Sequence, residues 1–374
     1  MALISPAISH PGVIVYAIAA RDRARAIAFA HQHNIPVVKD SYEAILEDPQ
    51  IDVVYIPLPA GLHFEWASKA LTKGKHVLLE KPATPTSQDA RVLFHHPRLS
   101  HPTEPRILME AFHSRFTPAW KLFQSYLDGP NVTHAHATAY VPSFVVKETD
   151  IRFKYDLGGG ALLDLGTYPL AALRAAFGSE PIECIDARLT GMAPPRERCD
   201  HTFSAKLLFP NGGIGEIDGT MRATNMRLYL PTITVSHRPV AAPEVGERGP
   251  GTKTTRTRKV VFYNYMFATM YHRIDVVDEF TVTNEQSGTI IQRFTKTEHK
   301  KAYTFREMGL EQPGEIYWST YRYMLEQFVT SIRKKEDVFV SPQDSILQAQ
   351  ALDMVYEKSE LGARPKSEYQ PEFV

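Results

Sequence analysis

The first third of the chain alternates short apolar runs with amphipathic stretches, which is typical of β-strand, helix, β-strand units. Apolar runs predict buried strands at 13–19 and 52–56 and further strands at 36–38, 76–79 and 107–111. Helices are predicted between them at 23–33, 42–48, 63–73 and 87–94, with Asp22 and Ser41 as N-caps and Gly74 just past a helix end. Parallel strands need such crossovers, so the pattern predicts a Rossmann-like parallel sheet over residues 1–112.

From residue 113 to 374 the pattern changes to alternating apolar and polar positions, typical of half-buried antiparallel strands. Strands are predicted at 134–141, 204–209, 213–221, 227–235, 259–266, 275–282 and 288–294, and Asn211-Gly212 predicts a hairpin turn. Helices are predicted at 120–127, 160–177, 315–334 and after Ser341. The sequence thus predicts an α/β protein whose C-terminal α+β domain contains a large, mainly antiparallel open sheet.

Two segments of the C-terminal half are interpreted separately. The stretch 239–258 is rich in Pro, Gly, Thr and Arg. It predicts a mobile surface insertion, with a partner-binding loop as the alternative. Large apolar residues at helical spacing in 318–332, Tyr321 among them, are predicted to be core.

Composition narrows the function classes. The 374 residues include 42 basic and 42 acidic side chains, which argues against a general nucleic-acid binder or a binder of acidic membranes. Cys184 and Cys199 are too few for a disulfide framework or a structural zinc site. The sequence has no run of 18 apolar residues and no signal-peptide pattern, so we expect a cytosolic globular protein.

Glycine and arginine positions bear on nucleotide binding. A Gly-x-Gly-x-x-Gly loop does not stand between the first predicted strand and helix. The run 158–160, Gly-Gly-Gly, predicts a turn before a helix rather than a phosphate cradle. Arg21 directly follows the strand 13–19, where an arginine can pair with the 2′-phosphate of NADP. A solvent-exposed arginine ahead of a helix is the alternative.

Candidate ligand contacts lie where predicted parallel strands end. Pro57 and Leu58 follow one strand, and Glu80 and Lys81 follow the next. Because ligands of open α/β sheets bind at the carboxyl ends of strands, Lys81 is a functional candidate, with plain turn chemistry as the alternative. His63 begins a helix and is either a capping residue or a ligand contact.

Asp164 and Tyr168 lie four residues apart and therefore share one face of a predicted helix, with Gly166 leaving room between them. A tyrosine near a lysine can act as a general acid or base, because the ammonium favours the phenolate and lowers its pKa. A structural tyrosine is the alternative. His134 and His136 could form a metal pair, but no third ligand lies near them in sequence, so no metal is expected.

With these residues in view, the chain resembles the Gfo/Idh/MocA oxidoreductase family, in particular its dihydrodiol and NADP-dependent D-xylose 1-dehydrogenase branch. The likeness runs from AIAARDRARAIAFA through DVVYIPLPAGLHFEWASKALTKGKHVLLEKP and MEAFHSRF to GGGALLDLGTYPL. It implies that Lys81 of the EKP motif lies at the active site. The D-x-G-x-H pattern of the family corresponds to Asp164, Gly166 and Tyr168, with Tyr168 as the catalytic acid/base of this branch.

The resemblance implies a complete reaction. Tyr168, with its pKa lowered by Lys81, would accept the C1 hydroxyl proton of a pyranose while hydride leaves for NADP⁺, and Asp164 would orient substrate hydroxyls or the nicotinamide ribose. D-xylose, oxidised to D-xylono-1,5-lactone, is the favoured substrate, and NAD is the second option as cofactor. A homodimer formed through the open sheet faces is implied as well. The implied cofactor contacts are Arg21, Pro57, Leu58, His63, Glu80, Lys81 and Arg115.

The chain departs from this family at its start. Members begin with a strand and a glycine-rich loop, and both are absent before the first predicted strand. We expect unpaired sheet edges and the loss of amides that hold the pyrophosphate. An incomplete version of an intact enzyme and a shortened member with impaired cofactor binding are the alternatives. An oxidoreductase for another cyclic alcohol or ketone, or a non-catalytic dimerising or sugar-sensing protein, also stays open.

Overall fold

The computed structural model describes residues 3–224, 230–242, 251–335 and 338–373. The helices in these ranges are α1 (Ile4–Ile8), α2 (Arg23–His33), α3 (Tyr42–Glu47), α4 (His63–Thr72), α5 (Ser87–Phe94), α6 (Pro118–Ser125), α7 (Thr167–Phe177), α8 (Thr320–Lys334) and α9 (Pro342–Lys358). A π-helical turn, Leu162–Gly166, precedes α7. Short 3₁₀ turns include Ala60–Leu62, Pro97–Ser100, His113–Phe116, Gly129–Asn131, Ile151–Phe153, Tyr155–Leu157, Tyr265–Phe267 and Arg306–Met308.

The strands of the N-terminal region are β1 (Ala17–Ile18), β2 (Val37–Val38), β3 (Val53–Ile56), β4 (His76–Glu80) and β5 (Leu108–Ala111). The strands of the C-terminal region are β6 (Val132–Pro142), β7 (Glu183–Gly191), β8 (Asp200–Leu208), β9 (Ile214–Ala223), β10 (Thr232–His237), β11 (Val240–Ala241), β12 (Thr252–Tyr263), β13 (Arg273–Asn284) and β14 (Ile290–Lys300). The α/β class is confirmed.

The N-terminal strands are parallel, as predicted, but they form two sheets. β1 pairs with β2, and β3, β4 and β5 form the second sheet. The predicted buried strand at 13–19 is wrong in length, since only Ala17–Ile18 are strand and Ile14 is 84 % exposed. Within the described residues β1 pairs only with β2, and β3 pairs only with β4, so each has one unpaired edge, in line with the expected unpaired sheet edges.

Helix boundaries in this region follow the predicted signals. The side chains of Asp22 and Ser41 accept the N–H groups of Arg25 and Ala44, each at 3.1 Å. Gly74 lies just after α4 with φ +74°, a conformation that glycine adopts without strain. Local sequence chemistry therefore fixes where these helices begin and end.

The C-terminal region is built on a nine-stranded sheet in which β11 is a short addition to β12. The order of its main path is β14-β13-β12-β10-β6-β9-β8-β7, and only the β6 and β9 pair is parallel. The predicted Asn211-Gly212 hairpin joins β8 and β9, with the side chain of Asn211 accepting the Gly213 N–H at 2.9 Å. The large, mainly antiparallel sheet is therefore confirmed.

Two expectations about this sheet need correction. The sequence pattern did not predict β7, because the exposed Ile185 breaks the alternation of polar and apolar positions and the inward Cys184 and Ala187 are small. The segment 239–258 is a surface insertion only in part, since residues 252–258 belong to β12 and pair with β13. Threonine-rich strands suit the exposed end of such a hairpin. Residues 225–229, which include the first three positions of the predicted strand 227–235, and residues 243–250 lie outside the described residues.

α9 links the two hydrophobic cores. Ile346 and Ala349 pack into the core around β3, β4 and β5. Leu352 and Val355, one turn further along, pack into the large core between α7 and the C-terminal sheet. The Ser87 N–H also donates to Asp353 of α9 at 2.8 Å. One helix therefore fixes the end of the parallel strands against the second half of the chain.

Glu110 holds the turn that follows β4. It lies on β5, is 1 % exposed, and its Oε1 accepts the Ala83 N–H at 2.9 Å. Burial raises the pKa of this carboxyl to about 7. Below pH 7 a neutral carboxylic acid therefore supports the turn that carries Lys81.

Replacing Glu110 with Gln keeps the oxygen that accepts the Ala83 N–H and removes the titration. Because the folded pKa of about 7 exceeds the ordinary 4.5, the wild type should lose stability as pH rises from 4.5 through 7. The loss relative to Glu110→Gln should approach about 3 kcal/mol at pH 8. Urea unfolding of both proteins from pH 4.5 to 8 measures it, and a pH-independent difference would contradict this assignment.

Candidate active site

The carboxyl end of β4 meets the helical segment before α7. Lys81 Nζ donates to the backbone carbonyl oxygen of Asp164 at 2.5 Å and to its Oδ1 at 2.9 Å. The same ammonium lies 4.9 Å from the ring centroid of Tyr168. The structure therefore brings the three predicted catalytic residues together, although Lys81 and Asp164 come from different halves of the chain.

A second cation completes the environment of Asp164. Arg152 Nε donates to Oδ2 of Asp164 at 3.1 Å, and Lys81 binds the other oxygen. Burial alone would raise the pKa of Asp164, but the charges of Lys81 and Arg152 hold it below its ordinary value. Asp164 is thus a carboxylate bridging two cations. Arg152 was not predicted, since the segment around it has no periodic pattern.

Tyr168 differs from expectation in its acidity. Burial, followed by the negative charges of Glu80 and Asp164, raises its pKa well above 10, and Arg152 only partly opposes this. The expectation that Lys81 lowers this pKa is therefore wrong for the site as the chain forms it. The ammonium of Lys81 is paired with Asp164, and the buried, low-dielectric surroundings of Tyr168 disfavour a phenolate. Tyr168 is accordingly a protonated phenol, able to donate a hydrogen bond.

His113 is the partner of this phenol. Its Nε2 lies 3.0 Å from the Tyr168 hydroxyl, and its ring stacks on Tyr321 with centroids 4.3 Å apart. Phe267 lies parallel to the same ring at 6.0 Å. Burial and then the charge of Lys81 lower the pKa of His113 to about 3, so its imidazole is neutral. Sequence reasoning gave His113 no role and placed Tyr321 in the core, because helical spacing does not distinguish a core face from a site wall.

The loops after β3 and β4 are joined by His63. Its two ring nitrogens lie 2.7 Å from the Leu58 carbonyl and 2.9 Å from the Pro82 carbonyl. A neutral imidazole donates to one of them at a time. Beside it, Glu80 accepts the Tyr55 hydroxyl at 2.5 Å, and burial raises the pKa of Glu80. These contacts hold the strand ends in place, and cofactor contacts for these residues stay predictions.

The two arginines predicted to contact a cofactor have different surroundings. Arg21 is exposed after β1 and forms no ion pair within the described part of the chain. Arg115 instead forms an ion pair with Asp344 of α9, whose other oxygen accepts from Arg174 at 3.0 Å. Arg21 is therefore free to bind an anion, whereas Arg115 is held in an ion-pair network. A cofactor contact for either stays a prediction.

The glycines at 158–160 form a tight turn before the π-helical turn, as predicted. A Cβ on Gly159 would lie 2.7 Å from three backbone atoms of residues 152 and 154. Gly160 has φ +147°, and a Cβ there would lie 2.4 Å from Asp200 Oδ1. Asp200 in turn accepts the Leu162 N–H at 2.6 Å. The run is needed for close packing that positions Asp164 and Tyr168.

His134 and His136, the candidate metal pair, each lie against an acidic side chain. His136 contacts Asp218, and His134 Nε2 lies 3.6 Å from Glu216, both across the β6 and β9 pair. In residues 3–224, 230–242, 251–335 and 338–373 no group of three His, Cys, Asp or Glu side chains could hold a metal ion. In the same ranges no helix has the length and apolar character needed to span a membrane.

Comparisons with known proteins agree with this architecture. Residues 3–100 match the model of the Gfo/Idh/MocA oxidoreductase family with an NAD-binding Rossmann fold. Residues 130–236 match the model of the C-terminal domain of that family. The two matches together cover more than half of the chain.

Individual relatives match over part of their length. A D-xylose 1-dehydrogenase (NADP(+)) of Haloferax volcanii is 36 % identical over 203 residues, 50 % of this chain and 60 % of the relative. A trans-1,2-dihydrobenzene-1,2-diol dehydrogenase of Xenopus laevis is 36 % identical over 186 residues, 49 % of this chain and 53 % of the relative. The chain therefore matches between half and two thirds of each relative.

A solved structure shows the same fold over nearly the whole chain. It is a 3-ketoreductase from Actinomadura kijaniata in complex with NADP and TDP-benzene. The TM-score is 0.68 at 24 % sequence identity, covering 95 % of this chain and 93 % of that chain.

Substituting Gly160 should disturb the turn that positions Asp164 and Tyr168. Gly160→Ala should cost about 1–3 kcal/mol for its positive φ, and a further 1–3 kcal/mol by displacing Asp200 from the Leu162 N–H. Gly309→Ala is the matched control, because Gly309 has φ +71° and open space around it. Urea unfolding compares the two, and equal losses of stability would contradict the close packing.

Proposed function

Because the chain belongs to the Gfo/Idh/MocA oxidoreductase family, we propose that it is an NADP-dependent dehydrogenase that oxidises a sugar or a cyclic diol. The observation that carries this proposal is the contact of Lys81 with Asp164 and the ring of Tyr168 at the carboxyl end of β4. Open parallel sheets bind their ligands at this end. The curated dehydrogenase relatives act on a sugar and a diol by name.

The residues around this crevice fit the nicotinamide end of a dinucleotide. Lys81 and the loops tied by His63 border it, with Leu58 and Glu80 at the ends of adjacent strands. Arg21, exposed and unpaired in the described ranges, suits the 2′-phosphate of NADP, with NAD as the second option. A glycine-rich phosphate loop is not among the described residues. A bound nicotinamide dinucleotide would exchange hydride with a substrate carbon.

The side chains of the protein then handle the proton. Oxidation would need Tyr168 as the phenolate, which would accept the proton of the substrate hydroxyl, and during reduction the phenol would donate that proton to the substrate oxygen. Lys81 would hold Asp164 in place, and Asp164 would orient substrate hydroxyls. A pyranose oxidised at C1 gives a 1,5-lactone, so we propose D-xylose as substrate and D-xylono-1,5-lactone as product.

A second candidate is the reduction of a cyclic ketone. It is favoured by the raised pKa of Tyr168, because a protonated phenol is ready to donate to a carbonyl oxygen. We also propose a cytosolic homodimer that pairs through the polar face of the large sheet, where His134, His136 and Asp218 lie. The remaining hypothesis is a non-catalytic, sugar-sensing protein, and measurable turnover would exclude it.

Cofactor binding tests the first part of the proposal. Titration with NADPH, followed by its fluorescence, should give micromolar binding that is tighter than binding of NADH. Arg21→Ala should weaken NADPH binding about tenfold, the value of one charge-assisted hydrogen bond, and leave NADH unchanged. Arg23→Ala is the control, because Arg23 is also exposed but pairs with Asp40. Equal losses for both nucleotides would contradict a role in phosphate recognition.

Turnover tests the second part. Tyr168→Phe should lower kcat with D-xylose and NADP⁺ by roughly 10²- to 10⁴-fold, the usual contribution of a general acid or base. Tyr323→Phe is the control, because its buried hydroxyl donates to the Tyr303 carbonyl at 2.7 Å. Unchanged turnover in Tyr168→Phe would remove this residue from the mechanism. A wild type that binds NADPH but converts none of the sugars, diols and cyclic ketones tested would favour the non-catalytic reading.

A further inference from the structure

The imidazole of His113 is held in one orientation. It is 1 % exposed and lies between aromatic rings, with Tyr321 stacked on it at 4.3 Å and Phe267 parallel at 6.0 Å. Its Nε2 faces the Tyr168 hydroxyl at 3.0 Å. Its Nδ1 is buried and has no hydrogen-bond partner in the described residues. The ring therefore makes a single polar contact, and that contact is with Tyr168.

The unpartnered Nδ1 distinguishes the two neutral tautomers. If Nδ1 carried the hydrogen, Tyr168 would donate to Nε2 and a buried N–H would have no acceptor. If Nε2 carries the hydrogen, it donates to the phenol oxygen, and only a lone pair on Nδ1 is left without a partner. Buried N–H groups without acceptors are rarer in proteins than buried acceptors without donors. The Nε2–H tautomer therefore fits this site better.

We propose that His113 is a positioning residue for Tyr168: its Nε2–H donates to the phenol oxygen and leaves the Tyr168 hydrogen for the substrate oxygen. The inference rests on the proposed function and deepens it. In oxidation, the same donor would stabilise the phenolate that accepts the substrate proton, and a bound nicotinamide dinucleotide would supply the acceptor for the hydride. In reduction, the Nε2–H form of His113 cannot accept the phenol hydrogen of Tyr168, so that hydrogen is free to bond the substrate oxygen.

The hydrogen bond from His113 is important because the charged groups around Tyr168 have opposing effects on its pKa. Glu80 and Asp164 disfavour a phenolate by charge, and Arg152 favours it. Lys81 lies over the ring, but its hydrogen bonds go to Asp164. His113 is thus the one hydrogen-bond donor found at the phenol oxygen among the described side chains. The low pKa of about 3 keeps it neutral, so it adds no charge of its own.

The tautomer is measurable without any turnover. In the full chain labelled with ¹⁵N in its histidine rings, the His113 signals are assigned by their loss in His113→Gln. We expect the neutral Nε2–H form from pH 5 to 9 and a shift of its Nε2 signal in Tyr168→Phe. His272 is an internal reference for the opposite tautomer, Nδ1–H, because its Nδ1 donates to the Ala268 carbonyl and its Nε2 accepts the Ala302 N–H. An Nδ1–H form of His113, or signals unmoved by Tyr168→Phe, would overturn the proposal.

Kinetics test the consequence. With D-xylose and NADP⁺, His113→Leu should lower kcat about tenfold with KM little changed and raise the apparent pKa of the rate profile by about one unit. His113→Gln, whose amide can place an N–H near the Nε2 position, should restore most of both. His272→Gln should reduce stability without moving the profile. Equal pH profiles for the Leu and Gln variants would overturn the proposal.

The two proposals fail in different ways. A wild type that converts no sugar, diol or ketone while His113 shows the Nε2–H tautomer contradicts the proposed function and leaves the hydrogen bond established. An active wild type with His113 in the Nδ1–H form contradicts the positioning role alone.

Discussion

The ion pair between Lys81 and Asp164 is the contact on which the candidate site depends. Lys81 follows β4, the central strand of the three-stranded parallel sheet, and Asp164 lies in a π-helical turn packed on the C-terminal sheet. Each partner is held by its own buried support. Glu110 fixes the turn after Lys81, and Asp200 fixes the segment before Asp164. The ion pair therefore joins two separately built halves, and α9 packs into both cores to keep them in register.

The electrostatics of the site follow from this pairing. Asp164 is ionised because two cations outweigh its burial, and those cations are in turn partly neutralised by it. Tyr168 consequently gains little from Lys81 and stays a phenol. The site thus places a buried proton donor, Tyr168, beside the ordered ammonium of Lys81. The hydrogen bond from His113 to the phenol oxygen would leave the phenol hydrogen available to a substrate. Proton exchange with a substrate oxygen is the chemistry to which this arrangement is suited.

Much of the fold could be predicted because its signals are local. The caps of α2 and α3, the hairpin at Asn211 and the alternation of strands and helices each depend on neighbouring residues. The resemblance to a family supplied Lys81, Asp164 and Tyr168. Packing between distant segments could not be predicted in this way. β1 is only two residues long and pairs with β2, and β12 extends through a polar segment because β13 pairs with it.

The same limit applies to the site. His113 and Arg152 become functional candidates only because chain folding places them against Tyr168 and Asp164, and neither carries a sequence signal of its own. The expected direction of the Tyr168 pKa shift was wrong, because the presence of a lysine at the site says nothing about burial or about which carboxylate that lysine binds. Charge balance inside a buried cluster is a property of the assembled structure.

The central claim is that this cluster supports hydride exchange with a sugar. In the most direct test, the full chain is incubated with NADP⁺ and D-xylose that carries deuterium at C1, and the mass of the reduced cofactor is measured by mass spectrometry. The account predicts one deuterium in the cofactor for each lactone formed, with the transfer abolished in Tyr168→Phe. A reduced cofactor without deuterium, or equal transfer by Tyr168→Phe, would contradict it.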